Sequence, residues 1–154
     1  MDTFAFIFHP VSIKEDTARK FPLAGRLLSE RQINFFSRFF PPLYISEING
    51  VVSTSTDNVL RGWFLAIPYT PPTMLRLPLN EVYNKLVACG RKAEKLGARI
   101  LGLGAYTSVV GDAGATVAQR LDIPVTTGDS YTVYMAVQAA RVAAQTMGAD
   151  LRQG

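Results

Sequence analysis

Cysteine and histidine are nearly missing from this chain, and their scarcity excludes most catalytic designs at once. Cys89 and His9 each stand alone. A single cysteine rules out an intrachain disulfide framework and a cysteine-rich zinc site, and it fits a reducing compartment, with the cytoplasm as default. A lone histidine lacks the partner set that zinc needs. No Ser/His/Asp set, paired-carboxylate spacing or phosphate loop is visible. Long apolar runs are also lacking. Gln138, Arg141 and Gln145 interrupt the most apolar helical stretch, so nothing reaches the roughly 18 apolar residues of a membrane span. Phe4 to Phe8 is too short for the apolar region of a signal peptide, and Asp2 stands where such a peptide carries positive charge.

Charge is sparse too, at 18% of residues against 48% hydrophobic. A chain of 154 residues fits one compact domain without staples, and this balance points to apolar surface left for a partner. The net charge of +4 is spread along the chain, without the clustered Lys/Arg run of a nucleic-acid footprint. Arg19, Lys20, Arg26, Arg31 and Arg38 gather in the N-terminal third. They read as a solvated helix surface or as a docking face for an acidic partner.

What is present reads as alternating elements. Thr3 to Phe8 is a buried strand closed by His9-Pro10. Ser12 with Glu15, and Ser29 with Gln32, have the capping-box spacing that opens helices, and Pro22 ends or bends the first of them. Phe35, Phe36, Phe39 and Phe40 load the second helix before Pro41-Pro42 stops it. Four rings in six residues cannot all face one way, so beyond the core some line an acyl groove or a domain interface. Leu43 to Ser55 and Val59 to Ile67 form an antiparallel hairpin about Thr56-Asp57-Asn58. Pro68, Pro71, Pro72 and Pro78 predict an irregular, stiff crossing. Val82, Leu86, Cys89, Ala93 and Leu96 then make one helical stripe ended by Gly97. Arg99 to Gly104, Ala113 to Leu121, Pro124 to Thr127 and Ser130 to Met147 alternate strand and helix. The expected fold is α/β: a small mixed sheet with an antiparallel hairpin, a C-terminal parallel βαβα part and helices on both faces.

In such sheets ligands sit beyond the carboxyl ends of the strands. Two loops fall there. Gly102-Leu103-Gly104-Ala105-Tyr106-Thr107 superficially matches a dinucleotide fingerprint, with Asp122 near the distance of a ribose-binding acid, but fails at the third glycine. Its glycines read instead as permitting close approach to another segment. Thr126-Thr127-Gly128-Asp129-Ser130-Tyr131-Thr132 packs hydroxyls, a carboxylate and a glycine before a helix. It reads either as a polar cradle shared with Thr107-Ser108 or as a helix cap supplied by Asp129 or Ser130. His9 is a candidate proton donor or a strand-end residue holding one hydrogen bond. Cys89, on the apolar stripe, reads as buried filler.

Pro41-Pro42 with Glu47-Ile48, Arg61-Gly62-Trp63, Pro72-Thr73-Met74-Leu75, Leu103 to Ser108 and Thr126 to Thr132 with Tyr134, in this order and spacing, resemble the N-terminal domain of the cyanobacterial-type long-chain acyl-acyl-carrier-protein reductases. Ile7 and His9 resemble that family's opening strand. The resemblance spans almost the whole chain. It implies a substrate-side domain followed, after the exit Gly148-Ala149-Asp150-Leu151, by a shikimate-dehydrogenase-like Rossmann domain that binds NADPH or NADH and is not present in residues 1–154. It also implies an acyl thioester substrate, including one carried on acyl carrier protein, and a nucleophilic cysteine in the later part. The substrate-facing role carries over to His9, Thr107, Ser108, Thr127, Gly128, Asp129, Ser130 and Thr132, with the hydroxyls of Thr107, Ser108 and Ser130 meeting the reacting carbonyl oxygen. The fragment alone would be inert, and uncovered apolar surface would favour self-association. The rival readings are a free-standing small-carboxylate-binding or oligomerisation module, and the N-terminal domain of a shikimate- or amino-acid-dehydrogenase-like enzyme.

Overall fold

A computed structural model describes residues 2–149, Lys20 by its backbone alone. Asp150 and Leu151 of the anticipated exit lie outside the described residues. Five strands form one sheet in the order β2-β3-β1-β4-β5: β1 (Asp2–Phe8), β2 (Leu43–Val52), β3 (Val59–Ala66), β4 (Leu101–Leu103) and β5 (Val125–Thr126). β1 is central and parallel to both β3 and β4, β4 is parallel to β5, and β2 pairs antiparallel with β3. The mixed α/β sheet with its hairpin and parallel C-terminal part is thus observed.

Alternation along β1 divides its side chains between two environments. Ala5 and Ile7 are fully buried and join Trp63 and Leu65 of β3 and Leu101 and Leu103 of β4. The helix α5 (Leu79–Leu96) closes this face with Val82, Leu86, Cys89 and Ala93, the stripe expected from the spacing, and Gly97 stops it in the left-handed conformation at φ 90°. Each of those large aliphatic side chains contributes about 1.5–3 kcal/mol by burial. The short helix α6 (Ala115–Gln119) adds Val117.

Phe4, Phe6 and Phe8 point the other way, with Gly62, Phe64 and Ala66 of β3 in register beside them. Edge-to-face contacts link Phe4 to Phe6 and Phe8 to Phe64 at 5.8 and 5.7 Å. Over the Phe8 end of this face lie α1 (Ile13–Lys20), α2 (Pro22–Leu27) and α3 (Glu30–Ser37). Ser12 caps α1 by taking the Glu15 amide, and the Ser29/Gln32 box closes in both directions. Pro22 both ends α1 and starts α2, whose Gly25 presses against Ala18 so closely that a Cβ would lie 2.4 Å from the Ala18 methyl.

The proline-rich crossing is not irregular. Pro71 and Pro72 occupy the first positions of α4 (Pro71–Arg76), where no amide hydrogen is needed and the fixed φ suits a helix. α7 (Asp129–Thr146) forms as expected, yet Ala144 is its one buried residue, and Tyr131, Val133, Tyr134 and Met135 are exposed.

Candidate functional site

The carboxyl ends of β1 and β3 and the start of β2 meet a cleft of about 950 Å³ between the sheet and the three N-terminal helices. Its floor is Phe8, Ala66 and Leu43, and its roof is Ala24, Leu28, Ile33 and Phe36. The volume lies in the range of small-molecule sites, roughly 300–1,000 Å³, and the walls are largely apolar as such sites are. Polar groups collect on one rim, where His9, Ser12 and Glu15 line the opening. Phe36 and Phe40 line the cleft while Phe35 and Phe39 do not, so the four rings divide between two directions as their spacing requires.

The roof is fastened to α5 and α4 by polar contacts. Arg38 donates to both carboxylate oxygens of Glu81 at 3.0 and 2.8 Å, a pairing that raises the guanidinium pKa. Lys85 donates to the carbonyls of Arg38 and Phe40 at 2.9 and 2.8 Å, and Lys92 to that of Pro42 at 2.9 Å. Burial pushes the Lys85 pKa down and the Tyr69 phenol up to about 12. The Thr73 hydroxyl donates to the Asn34 side chain at 3.0 Å. Sequence reading missed this fastening, because it joins residues some 40 apart that carry no mutual pattern.

His9 bridges the cleft and the loop after β4. Its Nε2 accepts the Tyr106 amide at 3.1 Å and its Nδ1 lies 3.0 Å from the Pro10 carbonyl. The neutral tautomer with hydrogen on Nδ1 satisfies both contacts. Both ring nitrogens are therefore engaged, and His9 ties the end of β1 to the loop after β4.

Residues Ala105–Ser108 form a 3₁₀ turn held from within. The Thr107 hydroxyl donates to Gly104 at 2.7 Å and that of Ser108 to Ala105 at 2.7 Å, and both residues are buried. In this arrangement the two hydroxyls spend their hydrogens on the backbone and present only lone pairs to a ligand. The same loop does not fit a dinucleotide. It leads into a single 3₁₀ turn, Gly102 makes room for the Phe6 ring, which an added Cβ would approach to 2.3 Å, and a Cβ on Gly104 would lie 3.1 Å from the Ile7 carbonyl oxygen. Asp122 instead pairs with Arg91 at 2.5 Å.

The second loop differs from the cap reading. Neither Asp129 nor Ser130 caps α7; Gly128 does so in the left-handed conformation at φ 77°, with no side-chain hydrogen bond. The reason is local: Asp129 accepts the Thr127 hydroxyl at 2.7 Å, and Thr126 accepts the Gly128 amide at 3.2 Å. Thr132 donates to Gly128 at 3.2 Å. The exposed Ser130 hydroxyl has no partner among the described residues, and the first-turn amides of α7 face outward uncapped. No hydrogen bond among the described residues joins this loop to Thr107-Ser108, although both follow adjacent strands. Cys89 is fully buried, and burial pushes its thiol up to about 12, which leaves it protonated and unreactive at neutral pH.

No protein-family model matches the chain. It is 27% identical to the aminotransferase PigE of Serratia sp. (strain ATCC 39006), over 88% of this chain and 16% of that protein. It is 25% identical to a long-chain acyl-[acyl-carrier-protein] reductase of Synechococcus elongatus (strain ATCC 33912 / PCC 7942 / FACHB-805), over 97% of this chain and 45% of the relative. The chain thus spans less than half the length of either relative. The similarity is distant, and that to the reductase takes in nearly the whole chain. Among the described residues no helix is long and apolar enough to cross a membrane.

Proposed function

We propose that this chain is the substrate-side domain of an NAD(P)-dependent acyl-thioester reductase, and that the cleft under α1–α3 holds the acyl chain. The observation that carries this reading is the cleft itself: apolar, about 950 Å³, and ending in a polar rim at His9 on the carboxyl edge of parallel strands. A small carboxylate would leave most of those apolar walls in contact with water, so the long-chain reading fits them better. The distant similarity to the reductase over 97% of the chain supports it. The aminotransferase matches over 16% of its length, so its named activity is free to reside in the rest of that protein.

In this reading the acyl tail enters beneath Phe36 and Phe40, and burying it supplies binding energy by about 0.8 kcal/mol per methylene. His9 holds Tyr106 so that the turn Ala105–Ser108 keeps its shape beside the thioester. Ser130 and the first amides of α7 supply the donors for a carbonyl oxygen gaining negative charge, since Thr107 and Ser108 already donate inward. Thr127, Gly128, Asp129 and Thr132 fix the start of α7. The nicotinamide cofactor and the nucleophile belong to a further domain that packs against the exposed apolar side of α7.

The test is saturable binding of a long-chain acyl thioester to the purified chain. Phe36→Asp, at a half-exposed cleft position, should abolish binding with the fold intact. Equal binding by that variant, or reduction of the thioester by the isolated chain with NADPH, would contradict the proposal.

A further inference from the structure

The roof of the cleft has an outer side as well as an inner one. In α2 the cleft takes Ala24 and Leu28, which leaves Leu23, Arg26 and Leu27 on the opposite stripe. In α3 it takes Ile33, Phe36 and Ser37, which leaves Arg31 and Phe35, continued four residues on by Phe39. Leu23, Leu27 and Phe39 are 75, 77 and 75% exposed, and Phe35 and Phe39 stack edge to face at 5.7 Å. Arg26 and Arg31 have no carboxylate partner among the described residues. Across residues 17–46 there is one acidic side chain, Glu30, against five basic ones. Solvent alone explains the arginines but not large apolar groups set between them on two successive helices.

We propose that the outer stripes of α2 and α3 dock this protein on an anionic lipid surface. Leucine and phenylalanine enter the headgroup boundary while Arg26 and Arg31 meet lipid phosphates, the pattern of an interfacial helix pair and not of a spanning one. Charge complementarity selects this occupant. The patch is basic and nearly free of acid, and lipid can receive protruding side chains without a pre-shaped partner pocket. The docked face is the back of the cleft's roof, so an acyl-binding protein would sit against the phase in which acyl chains are found. The docking itself does not depend on what the cleft binds.

Co-sedimentation of the chain with phosphatidylcholine vesicles, with and without phosphatidylglycerol, tests this. The expected result is binding to the phosphatidylglycerol vesicles that weakens at high salt and is absent on phosphatidylcholine alone. Leu27→Ser with Phe39→Ser, and separately Arg26→Glu with Arg31→Glu, should each lower partition by about tenfold or more. Arg76→Glu with Lys95→Glu removes the same charge from exposed sites outside the stripes and should retain binding. Circular dichroism and thermal unfolding report whether each variant is folded. No binding at low salt, equal loss in the control pair, or stripes buried in a dimer that ignores vesicles would overturn the proposal, the last by assigning the face to a second copy.

Discussion

The two faces of the sheet follow opposite rules. Against α5, Ile7, Leu65, Leu101 and Leu103 lie in a closely packed apolar layer with exposures of 2% or less. On the other face Phe6 and Phe64 are 42 and 37% exposed, and the helices above Phe8 stand off to leave a cleft. The first face holds the fold together. The second gives up packing to keep a volume open, and its roof is fastened to α5 by arginine and lysine contacts in place of interdigitated side chains.

That contrast orders the experiments. Ile7→Ala on the packed face should cost about 2–5 kcal/mol in denaturant unfolding, because the cavity it leaves is walled by fixed neighbours. Next is alkaline unfolding. The fold holds the protons of Cys89 and Tyr69 more tightly than the unfolded chain, whose groups titrate near 9.0 and 10.0. Stability is therefore fully present below those values and lost as pH rises toward about 12. Cys89→Ala and Tyr69→Phe should each shrink that loss in a pH series of melting temperatures. His9→Ala strips the Tyr106 amide of its acceptor and should cost about 1–3 kcal/mol. His9→Gln, long enough to reach the same amide, should restore hydrogen-exchange protection at Tyr106, whereas unchanged protection in the alanine variant would break the bridging role. On the open face Phe6→Ala should cost only about 1 kcal/mol; a loss equal to that of Ile7→Ala would erase the distinction between the faces. Arg38→Ala should leave the denaturation midpoint nearly unmoved, since exposed pairs contribute little, yet speed amide exchange in α3.

Local chemistry carried much of this architecture into the sequence. The 3.6-residue stripe of Val82, Leu86, Cys89 and Ala93 reads directly, because one buried face imposes one period, and the hairpin reads from β-branched and aromatic runs on either side of Thr56-Asp57-Asn58. The division of Phe35, Phe36, Phe39 and Phe40 between two directions was legible from geometry alone. α4 was not: four prolines read as stiffness, and the compatibility of Pro71-Pro72 with a first helical turn shows only once the following residues are seen to be helical. The α7 cap misread for a related reason, since Asp129 had a competing donor in Thr127 two residues earlier. The cleft was hinted at by aromatic load only. Its floor and roof come from residues as far apart as Ala24 and Ala66, whose meeting is decided by tertiary packing. Gly102 and Gly104, by contrast, read correctly as points of close approach.

Binding of a long-chain acyl thioester to the wild-type chain and to Phe36→Asp, followed by calorimetry, decides whether the cleft is an acyl site. The expected result is one saturable site that the substitution eliminates, with the unfolding transition unchanged. Absence of binding to the wild type, or binding the variant retains, would contradict the assignment of the cleft as an acyl site.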